Sequence, residues 1–163
     1  MIDAALRERV VATARRMNAL GINQGASGNV SARVEGGFLV TPSGIPYDGL
    51  EPGDIVHVGM GGHATGHREP SSEWRFHRDI YAARPDIRAI VHAHPVALVA
   101  FSICQQTPDT RLFHQAHWVC GKTGFAPYAC PGSQQLGERI AATFQQGCDS
   151  VILENHGVVV GGD

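Results

Sequence analysis

The stretch from Val30 to Thr41 commits this chain to an antiparallel sheet. Val30-Ser31-Ala32-Arg33-Val34 alternates in polarity, Gly36-Gly37 offers a tight turn, and Phe38-Leu39-Val40-Thr41 returns. Alternation puts residues i and i+2 on one face, and a glycine pair tolerates the positive φ angles that a short hairpin needs. Turn signals at Pro46-Tyr47-Asp48-Gly49 lead to a third strand pattern, Asp54-Ile55-Val56-His57-Val58. Gly59 to His67 then reads as a hairpin tip or a mobile loop.

Helical patterns surround this group. From residue 2 to about 20, Ile2, Leu6, Val10, Ala14 and Met17 recur at helical spacing, and Gly21 ends the run. Ser71 or Ser72 suits the N-cap of a helix carrying Trp74, His77, Ile80 and Tyr81, which Pro85-Asp86 stops. Pro95 to Cys104 predicts a third helix, and Gln105 to Arg111 a loop. Leu112 to Val119 has mixed periodicity. Gly132-Ser133 caps a helix with Leu136, Ile140 and Phe144 inside. Strands are predicted into His92 and His94, at residues 125–129, 150–154 and 158–160. The class is therefore α/β, in α/β/α layers: one domain with a central, mostly antiparallel mixed sheet flanked by helices.

Composition removes several kinds of function. Charged residues make up 17% of the 163 and the net charge is −2, so no basic footprint for nucleic acid or an anionic membrane exists. No apolar run approaches the ~20 residues of a membrane span. Met1 to Glu8 lacks the basic-then-apolar layout of a signal peptide. Cys104, Cys120, Cys130 and Cys148 are widely spaced, with no Cys-x-x-Cys, and read as reduced, buried thiols of a cytoplasmic protein.

The chemistry concentrates at Ala89-Ile90-Val91-His92-Ala93-His94-Pro95. In a strand, His92 and His94 share a face with Cα atoms roughly 6.6 Å apart, which lets both imidazoles lean onto one metal. His156 has the same setting, an apolar strand running into a histidine and then a glycine. Three neutral imidazoles would leave a coordination position open, as catalytic rather than structural metal sites do. His57, His63 and His67 have no partner at ligand spacing. His114 and His117 either share a helical face or form a buried polar pair. Gln24 to Asn29 and Thr41-Pro42-Ser43-Gly44 read as plain turns or as cradles of backbone amides for an anion, with Ser27 and Asn29 as further donors. Ser71 and Ser72 read as caps, or as part of an anion site at a helix N-terminus.

Taken jointly, the motifs resemble the class II aldolase/adducin family, and within it the fuculose-1-phosphate-type aldolases. The matching pieces are Gly25-Ala26-Ser27-Gly28-Asn29-Val30-Ser31, Thr41-Pro42-Ser43-Gly44-Ile45-Pro46-Tyr47, Pro70-Ser71-Ser72-Glu73, Val91 to Pro95, Ala126-Pro127-Tyr128 and Glu154-Asn155-His156-Gly157. They occur in the family's order from about residue 5 to the end. The resemblance implies Zn²⁺, or another divalent metal, on His92, His94 and His156, with Glu73 as general acid/base. It implies a substrate phosphate held by Gly28, Asn29, Ser43, Gly44, Ser71 and Ser72. None of these pieces contains Lys or Arg, so neutral donors and a helix N-terminus would carry that phosphate. The implied reaction is reversible retro-aldol cleavage of a ketose 1-phosphate to dihydroxyacetone phosphate and an aldehyde. The implied assembly is a homotetramer with interfacial active sites.

Two departures from the family pattern stand out. An ungapped reading places Phe113 where the family has a tyrosine that donates a proton across the subunit interface, so the donor here is either a histidine, His114 or His117, or a residue outside these motifs, and the aldehyde product is open to differ. The family also continues through C-terminal helices beyond the length of this chain. Related activities share these parts: a ribulose-phosphate 4-epimerase, a dehydratase, a decarboxylase, and the non-enzymatic adducin head that has lost the histidines. The epimerase branch resembles Pro-Ser-Ser-Asp, so Glu73 favours the aldolase.

Overall fold

A computed structural model describes residues 3–163, with every side chain except that of His117. Ile2, expected on the first helical stripe, lies outside the described residues. In chain order the elements are α1 Ala4–Ala19, β1 Asn29–Val34, β2 Gly37–Val40, β3 Val56–Gly59, β4 Ala64–Thr65 and α2 Trp74–Ala83. They continue with β5 Ala89–Ala93, α3 Val96–Ile103, α4 His114–Cys120, β6 Thr123–Ala126, α5 Gln134–Phe144, β7 Ser150–Leu153 and β8 Gly157–Gly162. The strands form one eight-stranded sheet in the order β4-β3-β2-β1-β5-β8-β7-β6. Every neighbouring pair is antiparallel except β6 and β7, which run parallel.

Helices cover both faces of the sheet, as the patterning predicts. On one face α2 and α5 pack Phe76, Ile80, Leu136, Ile140 and Phe144 onto Phe38, Val58, Ile90, Val151 and Val159. On the other, Val10, Val11, Ala14 and Met17 of α1 meet Val30, Ala32, Leu39 and Ala93. Each fully buried Ile, Leu or Phe contributes roughly 1.5–3 kcal/mol relative to its exposed state. Arg33 lies over the C-terminal end of α2. Its guanidinium donates to the carbonyls of Tyr81 at 2.8 Å and Arg84 at 2.9 Å, where the helix leaves acceptors unpaired.

Three expectations shift, each for a local reason, and the Gly59 to His67 stretch takes the first of its two readings. The third strand begins at Val56, because Pro52–Asp54 forms a single helical turn closed by a Glu51/Asp54 capping box. The Gly59 to His67 stretch is a hairpin, with its return at β4. β6 covers 123–126 rather than 125–129: Pro127 has no N–H to continue the ladder. The mixed 112–119 stretch is helix α4 from His114, and its large apolar residues Trp118 and Val119 are exposed. All four cysteines are free, but only Cys148 is buried; Cys104 and Cys130 are exposed, so the expectation of buried thiols fails for them.

Candidate active site

Sheet register builds the centre. Asn29 on β1 pairs with His92 on β5, and His92 pairs on its other side with Val159 on β8. His92 is fully buried, and its Nδ1 lies 2.9 Å from the carbonyl oxygen of Val158. A carbonyl only accepts, so Nδ1 carries the proton and the Nε2 lone pair points inward. His94, just past the end of β5, brings its Nε2 to 3.0 Å from His92 Nε2. The third imidazole comes from the three-residue turn between β7 and β8. Asn155 takes a left-handed φ of 54°, which Asn tolerates better than most residues, and His156 N–H closes the turn on Leu153 O at 3.1 Å. The three histidines each offer a ring nitrogen, all within 4.8 Å of one another. Gly157 is required behind them: a Cβ there would sit 2.5 Å from Ala93 O and 2.6 Å from the His94 ring.

Glu73 completes the group. It sits immediately before α2, with Ser71 Oγ accepting from its backbone N–H at 3.3 Å. Oε2 lies 3.2 Å from His92 Nε2 and accepts from Asn29 Nδ2 at 3.0 Å; Oε1 lies 3.4 Å from His156 Nε2 with no hydrogen-bond partner. Burial alone would push its carboxyl up. With a proton on His92 Nε2 standing where a cation would, its hydrogen bond and charge, then the charge of a protonated His156 and the Asn29 hydrogen bond, outweigh that and bring it to about 2. Burial, reinforced by His92 and His156, holds His94 down at about 4, and burial with His92 lowers His156 as well. The lowering of His94 and His156 and the ionisation of Glu73 both favour the protonation states that metal ligation needs.

The donor set passes a test of fit for a cation. With the Nδ1 proton given to Val158, the His92 lone pair faces a carboxylate oxygen and a second imidazole nitrogen at hydrogen-bond distance. Such a buried convergence of electron-rich atoms is repulsive unless a proton or a metal sits among them. Three imidazoles and a carboxylate suit a zinc-like divalent ion.

A cavity of about 240 Å³ opens beside these groups. Gly28, Asn29, Ser43, Gly44, Ser71 and Ser72 all line it, together with Glu73, His94 and His156. No Lys or Arg is among its lining residues. The two loops are zipped by backbone bonds: Ser43 N–H to Glu69 O and Ser71 N–H to Thr41 O, both 3.0 Å. Gly28 has φ +66°, its carbonyl accepts from Tyr47 Oη at 2.7 Å, and a Cβ on it would lie 2.4 Å from His92 O. Sequence reasoning missed Pro131, which also lines the cavity from the turn preceding α5. The remaining histidines stay apart. His67 pairs with Asp54 at 3.2 Å, and His57 lies 3.2 Å from Thr65 Oγ1. His114 is exposed and does not line the cavity, and the side chain of His117 lies outside the described residues.

Sequence reasoning also missed a polar seam beneath Glu73. His77 and Tyr81, read only as members of a helical stripe, meet Asn29 and Ser31. Asn29 Oδ1 lies 2.5 Å from His77 Nε2, His77 Nδ1 lies 2.7 Å from Ser31 Oγ, and Ser31 Oγ lies 2.8 Å from Tyr81 Oη. All four residues are buried. Burial, with a smaller contribution from His92, presses His77 down to about 3, so its ring is neutral. The available signal was spacing: Glu73, His77 and Tyr81 stand four apart, Asn29 and Ser31 two apart.

Comparison with known proteins places these features in context. Residues 8–163 match the family model described as class II aldolase and adducin N-terminal domain. The chain is 39% identical over 160 residues to the L-fuculose phosphate aldolase of Escherichia coli (strain K12), covering 94% of this chain and 71% of that protein. It is 38% identical over 161 residues to the 5-methylthioribulose-1-phosphate/5-deoxyribulose-1-phosphate aldolase of Rhodospirillum rubrum, covering 97% and 71%. A solved structure of an L-fuculose 1-phosphate aldolase superposes with a TM-score of 0.90 at 29% identity, over 100% of this chain and 76% of the other.

Proposed function

The chain belongs to the class II aldolase and adducin N-terminal domain family, and on that premise we propose that it cleaves a ketose 1-phosphate, reversibly, to dihydroxyacetone phosphate and an aldehyde. The observation that carries this reading is Glu73, an ionised carboxylate 3.2 Å from His92 and 3.4 Å from His156 of three convergent histidines, in a cavity also lined by glycines and hydroxyls. His92, His94 and His156 would hold Zn²⁺ or another divalent ion, which supplies Lewis-acid stabilisation of the negative charge developing on the C2 oxygen.

The protein's own groups do the rest. In cleavage the C4 hydroxyl loses its proton, the C3–C4 bond breaks and its electron pair moves onto the C2 carbonyl oxygen. Glu73, after taking up a proton from solvent, passes it to C3, which completes dihydroxyacetone phosphate; in synthesis the same carboxylate takes that proton from C3 and releases it to solvent. Ser43, Gly44, Ser71, Ser72, Gly28 and Asn29 would hold the phosphate by neutral donors, fixing the reacting carbons against Glu73. The C4 proton would pass to His114 or His117 of a neighbouring subunit. Exposure of His114, and of Leu112, Phe113, Trp118 and Val119 around it, supports a homotetramer whose neighbours complete each site. We also read residues 1–163 as one catalytic domain acting in the cytoplasm. No helix among the described residues is long and apolar enough to cross a membrane, and the four thiols are free.

The test is to load the protein with metal, supply fuculose, rhamnulose and 5-deoxyribulose 1-phosphates, and assay dihydroxyacetone phosphate. Release from at least one is expected. Epimerisation with no triose phosphate released would overturn the aldolase reading in favour of the 4-epimerase chemistry that the same parts support.

A further inference from the structure

We propose that His77 is a positioning residue, which through the amide of Asn29 fixes the carboxylate of Glu73, with Ser31 and Tyr81 fixing His77 in turn. The proposal rests on the acid/base role read for Glu73 above. It is carried by the directions of four consecutive buried hydrogen bonds, which leave a single consistent assignment. A carboxylate accepts, so Asn29 must present its NH₂ to Glu73 Oε2, at 3.0 Å. Asn29 Oδ1 then faces His77 Nε2 at 2.5 Å, and an amide oxygen also accepts. His77 Nε2 therefore carries the proton, and the neutral ring leaves Nδ1 as an acceptor. Ser31 must donate to that Nδ1 across 2.7 Å. The Ser31 oxygen then accepts from Tyr81 Oη at 2.8 Å.

The geometry of the two elements explains why the seam runs unbroken. Two residues along a strand advance about 6.6 Å. Four residues along a helix advance about 6.0 Å. Asn29 and Ser31 on β1 thus stay in step with Glu73, His77 and Tyr81 along α2. The residues around the seam are apolar: Phe38 and Phe76 stack against the His77 ring at 6.3 and 4.4 Å between centroids. In such surroundings an amide with a lost partner is free to turn over. A reversed Asn29 would place Oδ1 against Glu73 Oε2, where carboxylate and carbonyl repel. It would also withdraw an N–H from the side of the cavity that Asn29 lines.

The experiment compares His77→Phe, which keeps a ring between Phe38 and Phe76, with His77→Gln, which restores a donor at the Nε2 position. For His77→Phe, kcat is expected to fall roughly 10–100-fold, the range seen when an outer partner of a metal or catalytic group is removed. KM and metal content should stay near wild type, the thermal midpoint should fall because Asn29 Oδ1 and Ser31 Oγ lose a buried partner, and His77→Gln should recover most of kcat. An unchanged kcat in His77→Phe, or a His77→Gln variant as slow as His77→Phe, overturns the proposal. Should His77→Phe fail to fold, Ser31→Ala replaces it. There kcat is expected to fall roughly three- to tenfold, the worth of one neutral hydrogen bond, and no fall overturns the proposal. Nitrogen NMR of imidazole-labelled wild type gives a readout independent of turnover. The Nε2–H tautomer of His77 is expected and the Nδ1–H tautomer overturns the seam, even if no ketose phosphate is cleaved and the aldolase reading itself has failed.

Discussion

Two kinds of segment line the cavity: in one the functional atoms belong to acidic and imidazole side chains, in the other to backbone and short hydroxyls. Glu73, His92, His94 and His156 come from three places in the chain; Asn29 holds Glu73, the Val158 carbonyl and the β1–β5 register hold His92, and a turn bond to Leu153 holds His156. The Gly28, Ser43–Gly44 and Ser71–Ser72 end consists of turns clipped to one another by main-chain bonds. The first end places charge and titratable groups where electrons move. The second offers a shape lined with neutral donors, suited to a group that does not react. Substitutions at the two ends should therefore separate: rate at the first, affinity at the second.

The largest separation is expected from Glu73→Gln. It keeps shape and removes the base, so kcat should fall by about 10²–10⁴ with KM within a few-fold and metal content intact. Steady-state kinetics with elemental analysis checks this; full activity would remove Glu73 from the chemistry. Chelation follows. Stripping the metal should abolish turnover, and re-addition should restore it. The thermal midpoint should fall as well, since an ion at 1,000 times its Kd stabilises the fold by about 4 kcal/mol. Scanning calorimetry before and after chelation measures that shift, and no change in either activity or midpoint would exclude a bound metal.

Gly28→Ala is designed to break the division. Gly28 belongs to the loop end, yet its Cβ would press on the backbone of His92 and on the Asn23 side chain, at φ +66°. A left-handed non-glycine residue alone costs about 1–3 kcal/mol. Denaturant titration should show a loss of at least that size, with kcat and KM both worse. Ser72→Ala is the clean loop substitution, because Ser71 also caps the turn before α2. One lost hydrogen bond to a phosphate should raise KM about tenfold and leave kcat within twofold. An equal fall in kcat instead would show that the loop end senses the transition state.

The two ends also differed in how far the sequence revealed them. The loops and histidines were legible because each is a short local pattern: a glycine at a turn, a serine before a helix, a histidine after an apolar run. The sheet was legible through alternation and glycine pairs, down to the hairpin at Gly36-Gly37. What stayed hidden depends on which strands become neighbours. The pairing of Asn29 with His92 joins positions far apart in the chain, and no local pattern encodes it. The seam through His77 and Ser31 was overlooked because His77 and Tyr81 fit an apolar helical stripe, and polarity shows only once β1 is known to lie beneath α2. α4 was obscure for a third reason: its exposed Trp118 and Val119 face away from this chain's own core, so no amphipathic period records them.

Acid should distinguish the two ends by the smallest but most diagnostic margin. At the histidine end burial holds His94 and His156 below their ordinary value; the loop end carries no titratable group among Gly28, Ser43, Gly44, Ser71 and Ser72. His77 is the clearest case, fully buried and held by burial at about 3 against an unfolded value of 6.5. Between these values the unfolded chain binds a proton that the folded one refuses, so stability falls as pH drops below about 6.5 and rises as it returns. One such group contributes at most about 1.4 kcal/mol per pH unit, so roughly 1 kcal/mol should be lost between pH 6.5 and 5.5 through His77 alone. Glu73 adds no slope there, since its depressed carboxyl loses stability only below its unfolded value near 4.5. Urea titrations of metal-free protein at the two pH values should show a shallower pH dependence in His77→Gln and an unchanged one in Ser72→Ala. Equal slopes in wild type and His77→Gln would mean that the ring between Phe38 and Phe76 is already protonated when folded, and the bond between His77 Nδ1 and Ser31 would have to be reversed.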